Sequence, residues 1–146
     1  MKNLNIREAL EVELPDIFEL LKELDETGFD LETMFAAWGK MRCYPDYKLY
    51  AVMEDDELIG TFCLLIADNI GHSGSAFAVL ENVVVKPQYQ SQGVGKMMIA
   101  EALNIARCKK CYKLILSSAK HRGRSHEFYR KLGFEQHGLS FTMDLL

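Results

Sequence analysis

Apolar positions recur along this chain in two rhythms, and the switches between them outline its elements. Asn3 to Ala9 alternates loosely and predicts a first strand. Leu14-Pro15-Asp16 reads as a helix entry, with Pro15 in the first turn and Asp16 at the positive end of the dipole. Ile17, Leu20, Leu21 and Leu24 follow at helical spacing, and Thr27-Gly28 closes the helix. Leu31 to Met41 predicts a second helix. Its face of Met34, Phe35, Trp38 and Met41 reads first as packing and second as a substrate lining.

The rhythm then shortens. Tyr50 to Met53 and Leu58 to Ala67 read as two strands of a hairpin around the acidic turn Glu54-Asp55-Asp56-Glu57, a solvated tip. Asp68 to Ser75 reads as a loop. Phe77 to Val85 is a long strand, polar only at Glu81 and Asn82. Gly93 to Arg107 is a helix whose Val94, Met98, Ala102, Ile105 and Ala106 share a face. Tyr112 to Leu116 predicts a buried strand. Arg124 to Leu132 predicts a helix capped by Gly133, and Leu139 to Leu145 a last strand. Antiparallel hairpins thus lead into a βαβ unit, which is a mixed-sheet α/β or α+β arrangement. No repeat or linker divides residues 1–146, so a single domain is expected.

Composition narrows the partners. The formal net charge is -4, which argues against nucleic acid, whose binders carry a basic face. No stretch reaches the ~18 apolar residues of a membrane span, and residues 1–16 lack a signal-peptide core. The expectation is a soluble cytoplasmic protein with no membrane partner. Cys108 and Cys111 have CxxC spacing, but no second pair or zinc-finger histidines accompany them, so no metal is expected.

The most specific stretch is VVVKPQYQSQGVGK, Val83 to Lys96. Glycines at a helix mouth let the backbone approach an anion, and the helix N–H groups and dipole favour it. Lys96 adds charge. A P-loop would need glycine at 90 and a hydroxyl at 97, where the chain has Gln90 and Met97. A dinucleotide fingerprint would need a third glycine at 98 and an acidic residue about 20 positions on. The chain has Met98, and Lys113 to Leu116 in that region. A plain tight turn before a helix is the remaining reading from spacing alone.

Gln90-Ser91-Gln92-Gly93-Val94-Gly95 after a β-branched strand resembles the first signature of the GCN5-related N-acetyltransferase (GNAT) family. Arg124-Ser125-His126-Glu127-Phe128-Tyr129, continuing through Gly133-Phe134, resembles its second. The resemblance implies a central mixed, mostly antiparallel twisted sheet flanked by helices, with the acetyl-CoA site at the βα turn after the fourth or fifth strand. It implies acetyl-CoA as co-substrate and a small-molecule amine as acceptor. Val83, Val84 and Val85 would pair with the pantetheine arm as an added strand would. Gln90, Ser91, Gln92, Gly93, Val94, Gly95 and Lys96 would hold the diphosphate. The family favours Asn and Ala where this chain has Arg122 and Ser125, so cofactor contacts at those two positions differ. Homodimers are common in the family, so the resemblance leaves a homodimer as one possible assembly.

Direct acetyl transfer needs a neutral amine, a stabilised oxyanion and a reprotonated thiolate. An alkylamine with a pKa of roughly 10 arrives charged, so a base is required. Glu81, inside an apolar strand, is the candidate, with burial expected to raise its pKa. Tyr129 is the candidate acid. Lys120, His121, Arg122 and Arg124 form a basic cluster that suits a phosphate on the cofactor or the acceptor. Cys111-Tyr112-Lys113 resembles glucosamine-6-phosphate N-acetyltransferases, and Arg122 to Phe141 is similar to aminoalkylphosphonate acetyltransferases. A protein or peptide acetyltransferase and an inactive acyl-CoA-binding module are the other readings.

Overall fold

Five strands in the order β1-β2-β3-β4-β5 make one sheet in the computed structural model, which describes residues 3–24, 28 and 30–146. Contacts gather into two units, Met1–Ile115 and Leu116–Leu146.

The first unit holds β1 (Leu4–Glu8), α1 (Leu14–Leu21), α2 (Leu31–Met41), β2 (Tyr47–Glu54), β3 (Glu57–Ala67), a single turn α3 (Gly71–Gly74), β4 (Phe77–Val85) and α4 (Val94–Cys108). β5 (Leu114–Leu116) comes at its end. β1 to β4 pair antiparallel in sequence order. Next to β5, Tyr112 N–H donates to Ala76 O and Ala78 N–H to Lys113 O, both at 2.9 Å. Both chains advance in the same direction between those bonds, so β4 and β5 are parallel and the sheet is mixed.

Periodicity explains the layers. α1 buries Leu14, Ile17, Phe18 and Leu20, and the first three cluster with Leu49, Ala51, Leu58 and Cys63 of the sheet. α2 buries no residue fully. Its Met34, Phe35, Trp38 and Met41 are half-buried against that cluster, so the packing reading of this face holds. Asp30 caps α2 by accepting from Thr33 N–H at 2.8 Å. α4 buries Val94, Met98, Ile99, Ala102 and Ala106.

The second unit holds α5 (Gly123–Lys131). Gly133 ends it at φ 91°, with its N–H on Arg130 O and the Phe134 N–H on Tyr129 O. Only glycine takes that left-handed turn at no cost.

Several expectations need correction. The strand expected over Leu139 to Leu145 is not formed: residues 139–146 have no ladder partner among the described residues and are exposed. Alternation prepares a strand, but a strand exists only when a neighbour satisfies its backbone. Tyr112 to Leu116 shortens to three half-buried residues rather than a buried strand. The Asp68 to Ser75 loop contains α3, in which His72 and Ser73 hold φ of 50° and 59°. The helix of α1 ends at Leu21, and Thr27 lies outside the described residues.

Candidate active site

The site begins with a fault in the ladder. Cys63 pairs with Glu81 and Thr61 with Val84, so three steps on β4 answer two on β3. The extra residue makes a β-bulge, and Asn82 absorbs it at φ 54°. Asparagine tolerates this left-handed conformation better than a β-branched residue does. The Asn82 side-chain amide also reaches Cys63 Sγ at 3.5 Å.

The bulge sets the direction of the rest of β4. Lys86 N–H donates to Ile59 O at 2.8 Å, so the main-chain groups of Val85 turn away from β3. β5 is only three residues long, so backbone at this end of β4 is available to an extended ligand. Val84 is buried, while Val83 and Val85 are half-buried.

Glu81 sits opposite Cys63, which sits opposite Leu49. It therefore shares the sheet face that carries Tyr47 and is covered by α1. Desolvation raises the Tyr47 phenol, with added effects from Cys63 and Glu81. Glu81 itself is exposed, so the expected burial of this carboxylate is corrected. It stands in register just before the bulge, on the face of β4 where Phe77 and Val79 are also only half-buried.

The loop after β4 is braced by its own side chains. Gln90 Nε2 donates to Val85 O at 3.0 Å, and Gln92 Nε2 to Gln88 O at 2.6 Å. Ser91 holds φ 60° and Gly93 φ 88°. A Cβ on Gly93 would meet nothing within 4 Å, so its backbone angle rather than crowding demands glycine. No side chain caps α4, and its first turn closes with Met97 N–H donating to Gly93 O. The N–H groups of Val94, Gly95 and Lys96 precede that bond. Ser91, Gln92, Gly93 and Lys96 are exposed around them. This mouth fits a diphosphate: free donors, a positive dipole end, an adjacent lysine and no obstructing Cβ.

A clamp that the sequence did not reveal holds the loop's entry. Lys86 Nζ lies 3.0 Å from Glu57 Oε1, and Tyr89 Oη donates to Glu57 Oε2 at 2.7 Å. These bonds, Tyr89 first, lower the Glu57 carboxyl below its ordinary range, and the same bond carries the Tyr89 phenol up to about 12. The acidic tip is thus more than a solvated turn. A cavity of about 460 Å³ beside it is lined by Asp16, Glu19, Glu23, Asp56, Glu57 and Lys86 among others. Neither Glu81 nor any of Gln90 to Lys96 lines it, so it is a separate acidic recess.

In residues 116–146, Arg122 occupies the N-cap of α5 and is half-buried, as is Ser125 in its first turn. Lys120, His121 and Arg124 are exposed. His126 Nε2 lies 2.8 Å from Ala119 O, which gives that ring a structural partner. Tyr129 packs edge-on against Phe128 and Phe134, at 5.2 and 5.6 Å between centroids. Burial raises its phenol above the usual value and Arg122 opposes this. A raised phenol stays protonated at neutral pH, the state an acid requires.

A bulged strand feeding a glycine-mouthed helix is an arrangement that can hold an extended ligand along its backbone and a diphosphate at the helix mouth. Residues 14–134 match the acetyltransferase (GNAT) family. The chain is 33% identical to a glucosamine 6-phosphate N-acetyltransferase of Trypanosoma brucei brucei, over 98% of this chain and 97% of that one. An aminoalkylphosphonate N-acetyltransferase of Salmonella typhimurium is 22% identical over 96% of this chain and 90% of its own. A solved structure described as a putative acetyltransferase from Agrobacterium tumefaciens superposes with a TM-score of 0.89 at 26% identity, covering 97% of this chain and 99% of that one. The chain belongs to the acetyltransferase (GNAT) family, and it is an N-acetyltransferase.

Proposed function

We propose that this protein moves the acetyl group of acetyl-CoA directly to the primary amine of a small molecule bearing a phosphate, an amino-sugar phosphate first among them. The near full-length 33% identity to a glucosamine 6-phosphate N-acetyltransferase carries the choice of acceptor. The 22% identity to the aminoalkylphosphonate enzyme favours a phosphonate amine as the second reading. Residues 1–146 act as one catalytic domain, since the family match runs across both units. The acidic balance favours a small-molecule acceptor over nucleic acid, and four free cysteines suit the cytoplasm.

In this reading Val83, Val84 and Val85 offer strand backbone to the pantetheine arm, and Gln90 to Lys96 cradle the diphosphate. Arg122 and Ser125 contact the cofactor from the start of α5. Glu81, exposed beside the bulge, takes the ammonium proton through solvent. Tyr129, kept neutral by burial, returns a proton to the departing thiolate. Direct transfer is favoured over a cysteine-bound acetyl because Cys63, opposite Glu81, has its thiol pushed up by burial to about 11.

The test is thiol release from acetyl-CoA over a panel of amines with and without a phosphate or phosphonate. Glucosamine 6-phosphate is expected to give the highest kcat/KM. Tight binding of CoA with no release on any amine would replace the enzyme with a binding module. Tyr129→Phe should lower kcat by about 10²–10⁴-fold with the KM for acetyl-CoA unchanged, and Glu81→Gln should remove the acid limb of the pH–rate profile.

A further inference from the structure

β4 changes register at one place, and a side chain reaches across to β3 there. Thr61 and Cys63 stand two residues apart, while their partners Val84 and Glu81 stand three apart. Asn82 and Val83 therefore share the space opposite Phe62, and the extra residue lies outside the ladder. The residues on either side of Asn82 are the ones the proposed reaction uses. Glu81 is the base, and Val83 begins the stretch offered to the pantetheine arm. The geometry of the bulge thus sets how those two stand relative to each other.

Asn82 holds the bulge in two ways. Its backbone takes φ 54°. Val83, Val84 and Val85 are β-branched and avoid that conformation, so the bulge does not migrate along the strand. The angle alone would be met more cheaply by glycine. The chain has an amide instead, and Asn82 Nδ2 donates to Cys63 Sγ at 3.5 Å, sulfur being a large, weak acceptor. Cys63 is 2% exposed. Burial pushes its thiol up to about 11, against the Asn82 bond, which lowers it. The sulfur is therefore neutral and held in the core.

We infer that Asn82 is a positioning residue: its amide, tied to Cys63 on β3, fixes the bulged peptide and so the placement of Glu81 relative to the Val83 main chain. The inference rests on the acetyl-transfer reading of Glu81 and β4. Asn82 itself makes and breaks no bond. The glycine mouth has its own braces in Gln90 and Gln92. Loss of the tie should therefore disturb the reacting end of the donor and spare its diphosphate end.

Asn82→Gly separates the two contributions, since glycine keeps the left-handed angle and lacks the amide. Cys63→Ala removes the acceptor from the other side, and Cys63→Ser restores one. Initial rates, CoA affinity by calorimetry and amide spectra of nitrogen-labelled protein are compared. Asn82→Gly and Cys63→Ala should each lower kcat roughly two- to tenfold, the effect of one hydrogen bond, with CoA affinity unchanged. The double variant should lose no more than either single one, and Cys63→Ser should recover most of the rate. The Val83 and Val85 amides should be sharp in the parent and broadened in both single variants. Asn82 is exposed, so its variant decides the matter if the buried Cys63 variants fail to fold. Full kcat in Asn82→Gly would overturn the inference, as would additive losses in the double variant or unaltered Val83 and Val85 amides. A parent that binds CoA and turns over no amine would remove the transfer reading, and the amide spectra would then decide the tie alone.

Discussion

Gly60→Ala adds one methyl group at the point where β3, β4 and α4 meet. Gly60 is buried, lies opposite both Val52 and Val85, and flanks a register irregularity in β3. A Cβ built there would stand 3.1 Å from Val84 O and 3.2 Å from Met98 Sδ. Ordinary contact begins at 3.4 Å, so the new atom is short by about two to three tenths of an ångström on each side. Neither neighbour yields freely. Met98 is 0% exposed, and Val84 O is main chain in the strand proposed to take the pantetheine arm. Overpacking of this kind costs about 1–3 kcal/mol. Stiffening the unfolded chain offsets about 0.4–1 kcal/mol of that. The net expectation is a loss of about 1 kcal/mol, or about 2–4 °C in Tm for a chain of this size.

Urea unfolding monitored by circular dichroism reads the stability, and initial rates read the KM for acetyl-CoA. That KM should rise with little change in kcat, because the displaced atoms belong to the strand and helix proposed to hold acetyl-CoA. With Met98→Ala already in place the Gly60→Ala penalty should shrink, since only the carbonyl contact remains. A Gly60→Ala protein as stable as the parent, with unaltered KM, would refute the claim that β4 and α4 are held at this distance by the missing side chain.

Ion pairs supply two more expected outcomes. Glu57→Gln removes the charge that Lys86 and Tyr89 share, so the loop entering the glycine mouth should loosen and the acetyl-CoA KM rise about two- to five-fold; unchanged donor kinetics would show that the clamp does not position the loop. Glu13 accepts both terminal nitrogens of Arg7 and the Leu10 N–H, and the Arg7 bond is the main cause lowering its carboxyl below the usual range. Because the folded value lies below the unfolded one, this contribution is present above about pH 4.5 and is lost as pH falls through the folded value. Glu13→Gln should therefore cost about 1–2 kcal/mol at neutral pH in urea titrations, and the difference from the parent should narrow below pH 4.

Much of this fold was legible because its elements carry their own periods. The helices at Leu31–Met41 and Val94–Cys108 and the strand Phe77–Val85 lie where the pattern puts them, give or take a residue at an end. The glycine mouth was legible for a related reason: the left-handed φ at Gly93 is a local demand that only one residue type meets cheaply. Glu81 shows the opposite case. An acid within an apolar strand suggests burial, yet Glu81 falls on the face of β4 whose Phe77 and Val79 are only half-buried. Asn82 was the available signal for the bulge, since asparagine tolerates the left-handed conformation found there.

The sequence by itself determined the helices, the long strands and the two family signatures, because each rests on spacing within one short segment. Tertiary structure decided which residues face one another across segments far apart in the chain. The Glu57 clamp joins residues 32 positions apart, and the contact that excludes a side chain at Gly60 comes from two other elements. It also decided that residues 139–145, a strand by pattern, pair with no strand among the described residues. A strand needs a hydrogen-bonding neighbour, and no local pattern can state whether the chain supplies one.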